Sequence, residues 1–267
     1  ILNKNLSIEK RKVKLYASGG MIFEDQDYNI LIEEALAAQE NGFYGWKFRP
    51  KTPNNNPSHN ERKKNPPSFD KKLIISFINN LKKRVNSNFK IMIDFGQRIT
   101  NLEENLDLLI FLSENNIYFI EEPIKYSITK YSKLHNKVNI NVSGCESFTS
   151  TGDYNKWLNK SLIQFIQPDT NLIAIDKLYK YFTQQKFKNI IMHNWCLPFN
   201  MIFNISLHNA LILDNLFEYN ITFNPLRDMI FQENFKMKNN IPVLDNFNSN
   251  VEISNELLSK FDISDMI

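Results

Sequence analysis

Lys90-Ile91-Met92-Ile93-Asp94 and Ile117-Tyr118-Phe119-Ile120-Glu121 are short apolar runs closed by a carboxylate, and the pattern recurs along the chain. It continues through Asn141-Val142-Ser143-Gly144-Cys145-Glu146, Gln164-Phe165-Ile166-Gln167-Pro168-Asp169, Ile190-Ile191-Met192-His193 and Asn215-Leu216-Phe217-Glu218. The closing polar residues are separated by 27, 25, 23, 24 and 25 positions. Such a spacing is that of one strand, one helix and two short connections. Strands that alternate with helices run parallel, with right-handed crossovers, and when the sheet closes the polar residues at the C-terminal strand ends meet at one site. The pattern therefore predicts an α/β chain folded as a (β/α)8-type TIM barrel, with Asp94, Glu121, Glu146, Asp169, His193 and Glu218 gathered at its mouth.

Outward from this stretch the alternation holds. Val13 to Ser18 reads as a first strand ending in Gly19-Gly20, and Asn29 to Gln39 as a helix stopped by Asn41-Gly42. Gly45-Trp46-Lys47-Phe48-Arg49 closes the second strand. Residues 50–68, rich in Pro, Asn, Lys and Arg, read as a mobile loop on the same face. Leu73, Phe77, Leu81 and Val85 form an apolar stripe on the next helix, and Thr100-Asn101-Leu102-Glu103 reads as a capping box for a helix that buries Leu102, Leu106 and Leu109. Further strands are expected at 117–120, 139–142, 162–166, 189–192 and 216–219. Intervening helices are expected near 125–135 and 149–158, then at 171–186 and 199–213. Asn224-Pro225-Leu226-Arg227 and Ile241-Pro242-Val243-Leu244 read as extended or irregular segments before a short terminal helix. The domain plan is a linker at 1–11, a catalytic barrel at 12–230 and a packing tail at 231–267.

Composition bounds the function. With 267 residues the chain is long enough for one such barrel, and its net charge of +3 is too small to imply a nucleic-acid partner. Cys145 and Cys196, the two cysteines, are expected to remain free thiols in a reducing cytoplasm. No apolar run is long enough to span a bilayer, and the N-terminal residues show no targeting pattern. The chain lacks an initiator Met, so a longer product is expected. The abundance of Asn, Lys and Ile reads as a compositional bias without functional weight.

Three neighbouring carboxylates repel one another unless a cation neutralises them, and the hard oxygen set of Asp94, Glu121 and Glu146 suits Mg²⁺. Asp169 and His193 close neighbouring strands, so the carboxylate can orient the imidazole as a general base. His59, His135 and His208 lack such a setting and read as structural or exposed. Lys47 and Arg49 lie two apart on one strand face, poised to meet a substrate carboxylate.

Together these residues resemble the barrel domain of the enolase superfamily, mandelate racemase subgroup. The likeness rests on Lys47-x-Arg49, Asp94, Glu121-Glu122-Pro123, Gly144-Cys145-Glu146, Gln167-Pro168-Asp169, His193 and Glu218 in order. It implies Asp94, Glu121 and Glu146 as metal ligands, Asp169 and His193 as the catalytic dyad, and Lys47, Arg49 and Glu218 at the substrate. It also implies abstraction of the proton α to a carboxylate, giving an enediolate whose charge Mg²⁺ stabilises. Arg49 stands where a racemase uses a second lysine as base, and it stays protonated. The resulting expectation is a sugar-acid dehydratase that loses the β-hydroxyl to give a 2-keto-3-deoxy acid. The alternatives are a racemase or epimerase of a 2-hydroxy acid and an inactive barrel kept for binding or assembly. The chain departs from the family at Asp94-Phe95-Gly96, in place of Asp-x-Asn, and at Phe247-Asn248-Ser249-Asn250, in place of Pro-Gly-Leu-Gly. A capping domain has no counterpart in it and is expected in cis or in trans. A small-molecule carboxylate is the expected ligand and a homo-oligomer the expected assembly.

Overall fold

The computed structural model describes residues 13–22, 26–51, 68–158, 160–185, 187, 189–195, 197–211, 213, 216–234, 237–238, 241–242 and 254. The expected loop at 50–68 and the expected terminal helix fall almost wholly outside them, as does Cys196. Strands β1 (Lys14–Ser18), β2 (Gly45–Phe48), β3 (Lys90–Asp94), β4 (Phe119–Glu121), β5 (Val142–Gly144), β6 (Phe165–Ile166) and β7 (Leu216–Asn220) form one sheet in the order β6-β5-β4-β3-β2-β1-β7. All of its pairings are parallel. The strand expected at 189–192 joins β6 through the single bridge Ile166↔Ile190, with Ile191 N donating to Ile166 O at 2.9 Å. The sheet is thus the parallel, helix-alternating sheet expected, with seven ladder-forming strands among the described residues in place of eight.

Helices α1 (Asn29–Glu40), α2 (Lys71–Arg84), α3 (Leu106–Glu114), α4 (Ile128–Lys137), α5 (Thr151–Leu158), α6 (Ile175–Gln185), α7 (Pro198–Ala210) and α8 (Pro225–Asn234) cover the sheet. Their apolar faces and the sheet share one large core that includes Trp46, Phe48, Phe77, Tyr131 and Phe217. Inside the curl, Tyr16, Met92, Phe119, Ile191 and Leu216 fill a smaller cluster beneath the polar strand ends. No helix among the described residues is long and apolar enough to cross a membrane.

Several expectations are corrected. On α2 the buried face is Ile74, Phe77, Ile78 and Leu81, while Leu73 is 45% exposed; burial follows Phe77 and Leu81 with the flanking isoleucines at 74 and 78. Asp70 caps this helix through the amides of Lys72 and Leu73. Before α3, Asn101 rather than Thr100 accepts from Glu103 N, and a 3₁₀ turn at Glu103–Asn105 leads into a helix that buries Leu108, Leu109 and Leu112. Pro225 opens α8 instead of an irregular segment, because its lack of an N–H costs nothing at a helix start and Asn224 accepts from Arg227 N. Strand β5 begins three residues later than expected, at Val142.

Candidate active site

Register brings the first carboxylates together: Asp94 pairs with Glu121 across β3 and β4, and Glu121 with Ser143 across β4 and β5. Glu146 follows two residues after the end of β5. Lys47, buried on β2, lies between two acids, with Nζ 2.6 Å from Glu121 Oε2 and 2.7 Å from Glu218 Oε1. Arg49 Nε contacts Asp94 Oδ2 at 2.6 Å, and Gly96 N donates to Asp94 Oδ1. Gln167 Nε2 donates to Glu121 Oε2 at 2.7 Å.

The structure brings Asp169 and His193 together. His193 Nδ1 lies 3.0 Å from Asp169 Oδ2, and its Nε2 lies 3.1 Å from Glu146 Oε2. Asp169 also accepts from Asn171 N, from Asn200 Nδ2 and from the indole Nε1 of Trp195, which is 51% exposed and stands edge-on to the imidazole. The turn after His193 is secured by asparagines. Asn204 Nδ2 donates to His193 O at 2.7 Å and to Asn194 Oδ1 at 2.8 Å, and Thr170 donates to Asn204 Oδ1. Across the end of the sheet, Asn194 Nδ2 donates to Glu218 O at 2.6 Å, Asn194 N to Glu218 Oε2 at 3.1 Å, and Asn220 Nδ2 to Asn194 O. Sequence reasoning missed these asparagines. Their type carried no signal in an Asn-rich chain; only their place after strand-end residues could have marked them.

The charges are coupled. Burial would lower the Lys47 ammonium, but Glu121 and Glu218 outweigh it and raise its pKa well above the usual lysine value. Burial also opposes the imidazolium of His193, yet Glu146 and Asp169 push it up to about 10. Burial raises Glu121 to about 7 against the pull of Lys47. It raises Glu146 to about 7 as well, with Glu121 and Asp94 adding to it against His193. For Asp94 and Glu218 burial acts in the same direction but loses, to Arg49 and Lys47 respectively, and both are lowered. The site is therefore a network of alternating charges in which burial lifts Glu121 and Glu146 above the usual carboxylate range.

A divalent cation needs several oxygen ligands around one point. Among the described residues no three His, Cys, Asp or Glu side chains are gathered as ligands around one point, because Arg49 engages Asp94, Lys47 engages Glu121 and His193 engages Glu146. The chemistry of the set nevertheless fits. Asp94 and Glu121 end β3 and β4 and Glu146 follows two residues after β5; Glu121 and Glu146 are raised by burial and mutual repulsion, and Glu121 Oε1 is buried without a hydrogen-bond partner.

A parallel sheet alternating with helices, its titratable groups collected at the C-terminal strand ends, defines the class as an α/β-barrel type. Residues 31–246 match the sequence model of the enolase C-terminal domain-like family, and the chain belongs to that family. It is 25% identical over 241 residues to an arabinonate dehydratase from Saccharolobus solfataricus, covering 88% of this chain and 60% of that protein. Among solved structures it resembles the 3,6-anhydro-D-galactonate cycloisomerase from Zobellia galactanivorans, with TM-score 0.70, 20% identity, and coverage of 89% of this chain and 64% of that one. It also resembles the L-talarate dehydratase from Polaromonas sp. JS666 in complex with Mg and L-glucarate, with TM-score 0.67, 17% identity, and coverage of 94% and 64%. The chain thus spans less than two thirds of the length of these relatives.

Proposed function

We propose that this chain forms the catalytic barrel of a Mg²⁺-dependent dehydratase acting on a sugar acid, with the 189–192 segment as the eighth stave of that barrel. The observation that carries the choice of dehydratase over racemase is the enclosure of Lys47 between Glu121 and Glu218. The Lys47 ammonium bridges two buried carboxylates and so serves as a fixed cation rather than a base, and Arg49 beside it is no base either. His193 would then be the single base, oriented by Asp169 through Nδ1, once Glu146, which raises its pKa through Nε2, is engaged by the cation instead. A dehydration needs only one such group, whereas inversion at the α-carbon needs a second on the opposite side. The likeness to an arabinonate dehydratase supports the same class of substrate.

Asp94, Glu121 and Glu146 would hold the cation, which when bound supplies a Lewis acid for the substrate carboxylate and offsets their mutual repulsion. His193 Nε2 takes the α-proton, and Asp169 stabilises the resulting imidazolium. That imidazolium returns a proton to the β-hydroxyl, the C–O bond breaks, and water leaves. The enol left behind tautomerises to the 2-keto-3-deoxy acid. Arg49 and Lys47 supply positive charge on the β2 side for the substrate carboxylate, and a capping domain, in cis or in trans, closes the mouth against water.

The test is a screen of sugar acids with the whole protein and Mg²⁺ in D₂O, scoring keto acid, solvent deuterium and epimer. Keto acid should form, and His193→Asn should slow it by a factor on the order of 10² to 10⁴, the usual contribution of a positioned acid–base group. Accumulation of epimer without keto acid would replace the dehydratase with a racemase.

A further inference from the structure

Sheet register places Asp94 opposite Glu121, but the last paired residue of β5 is Gly144, so register alone does not place Glu146. Beside each of the three carboxylates the backbone is left-handed at a residue other than glycine. These are Gln97 (φ 63°), three residues after Asp94; Glu122 (φ 39°), directly after Glu121; and Cys145 (φ 76°), directly before Glu146. Such conformations are uncommon and persist only where surrounding groups hold them.

The three residues are joined in one chain of hydrogen bonds. Gln97 donates from its backbone N to Glu122 O at 2.6 Å and from Nε2 to Glu122 Oε2 at 2.9 Å. The Tyr126 hydroxyl donates to the other oxygen of Glu122 and accepts from the backbone N–H of Cys145. Its ring is fixed from three sides. It stacks on Tyr131 at 5.9 Å and 5°, and packs on Phe148 at 5.0 Å and on Trp157 at 5.3 Å. Residue 144 must be glycine for this approach, since a Cβ there would stand 2.8 Å from the Tyr126 hydroxyl.

We infer that the chain Gln97–Glu122–Tyr126–Cys145 sets the spacing of Glu146 from Glu121 and Asp94, with Tyr126 as the positioning residue at its centre. This rests on the reading of the three carboxylates as a metal site. Tyr126 touches none of them, and it acts through the turn that carries Glu146 and through the residue that follows Glu121.

Calorimetric titration of Mg²⁺ into the whole protein, wild type and Tyr126→Phe, tests the inference. Loss of an outer hydrogen bond of a metal site weakens affinity by roughly 10- to 100-fold, and Tyr126→Phe should fall in that range while keeping the far-UV circular dichroism of the folded protein. Glu122→Gln should retain wild-type affinity, because an amide oxygen can accept from Tyr126 and the Gln97 amide can flip to pair with the new NH₂. Equal affinity in wild type and Tyr126→Phe overturns the inference. Should Tyr126→Phe fail to fold, Gln97→Asn decides, since Asn tolerates the backbone conformation but is too short to hold Glu122; unchanged affinity there is again the refuting result. If the wild type binds no Mg²⁺, the metal reading itself falls and hydrogen exchange at Cys145 and Glu146 judges the tie. Faster exchange in Tyr126→Phe upholds it, and unchanged exchange sinks it.

Discussion

The two sides of the candidate site are built by different means. From β1 to β5 the strands pair along continuous parallel ladders, and Asp94, Glu121 and Lys47 stand on paired positions. On the other side β6 has two residues, its neighbour touches it at one bridge, and the way from there to β7 is spanned by the side chains of Asn194 and Asn220. The acids on β3 and β4 are therefore held by main-chain register, which no single side-chain substitution removes. His193 is held toward β6 by main-chain bonds, its own N–H donating to Pro168 O at 3.1 Å, and toward β7 by side-chain amides, each of which can be deleted alone. Position is robust where the backbone sets it and fragile where asparagines do.

The largest expected effect breaks the charge balance on the ladder side. Lys47→Met leaves Glu121 and Glu218 buried without their shared cation, and loss of one partner from such a group costs about 3–5 kcal/mol. Urea unfolding of both proteins without metal measures it; a loss below about 1 kcal/mol, the level of a surface ion pair, would mean that water reaches the two acids.

A smaller loss is expected on the amide side. Asn204→Ala removes the donor to His193 O and Asn194 Oδ1 and the acceptor of Thr170, and a buried group left unsatisfied costs about 1–3 kcal/mol. Hydrogen exchange should rise at 189–195 and 216–220 while β2 to β4 stay protected. A uniform rise across all strands would erase the distinction between the two sides.

The smallest effect sharpens the comparison from outside it. Phe223, 81% exposed on the turn after β7, lies beyond both networks, and Phe223→Ser should change stability by no more than about 0.5 kcal/mol. A larger change in the denaturation midpoint would show that this rim is covered by something in solution.

The same division explains what could be read from the residues. Asp94, Glu121 and His193 were legible because apolar runs of strand length end in them at a regular interval, and the pairing of β3 with β4 meets that expectation for the first two. The 189–192 strand was legible as an apolar run, but pairing depends on neighbours that a run does not reveal, and only Ile190 forms a bridge. Asn194, Asn200 and Asn204 were hidden because the chain is rich in Asn everywhere, and only folding separates the buried ones from the rest. Tyr126 was hidden for another reason. It precedes α4 with no periodic or motif signal, and its role depends on Glu122 and Cys145 meeting it across two strand ends. Leu73 was misread since helical spacing permits two overlapping stripes, and the isoleucines at 74 and 78 took the core.

The pairing of β1 with β7 joins residues 14–18 to residues 216–220, almost the whole described chain apart. During synthesis at about 5–20 residues per second, β1 can find β2 within seconds, but its other edge waits on the order of ten seconds or more for β7 to emerge. An uncovered strand edge is a template for unwanted pairing with another chain. Strand β1 thus keeps an open edge while the strands between are made, and factors that shield nascent chains should matter most between the appearance of Ser18 and that of Asn220.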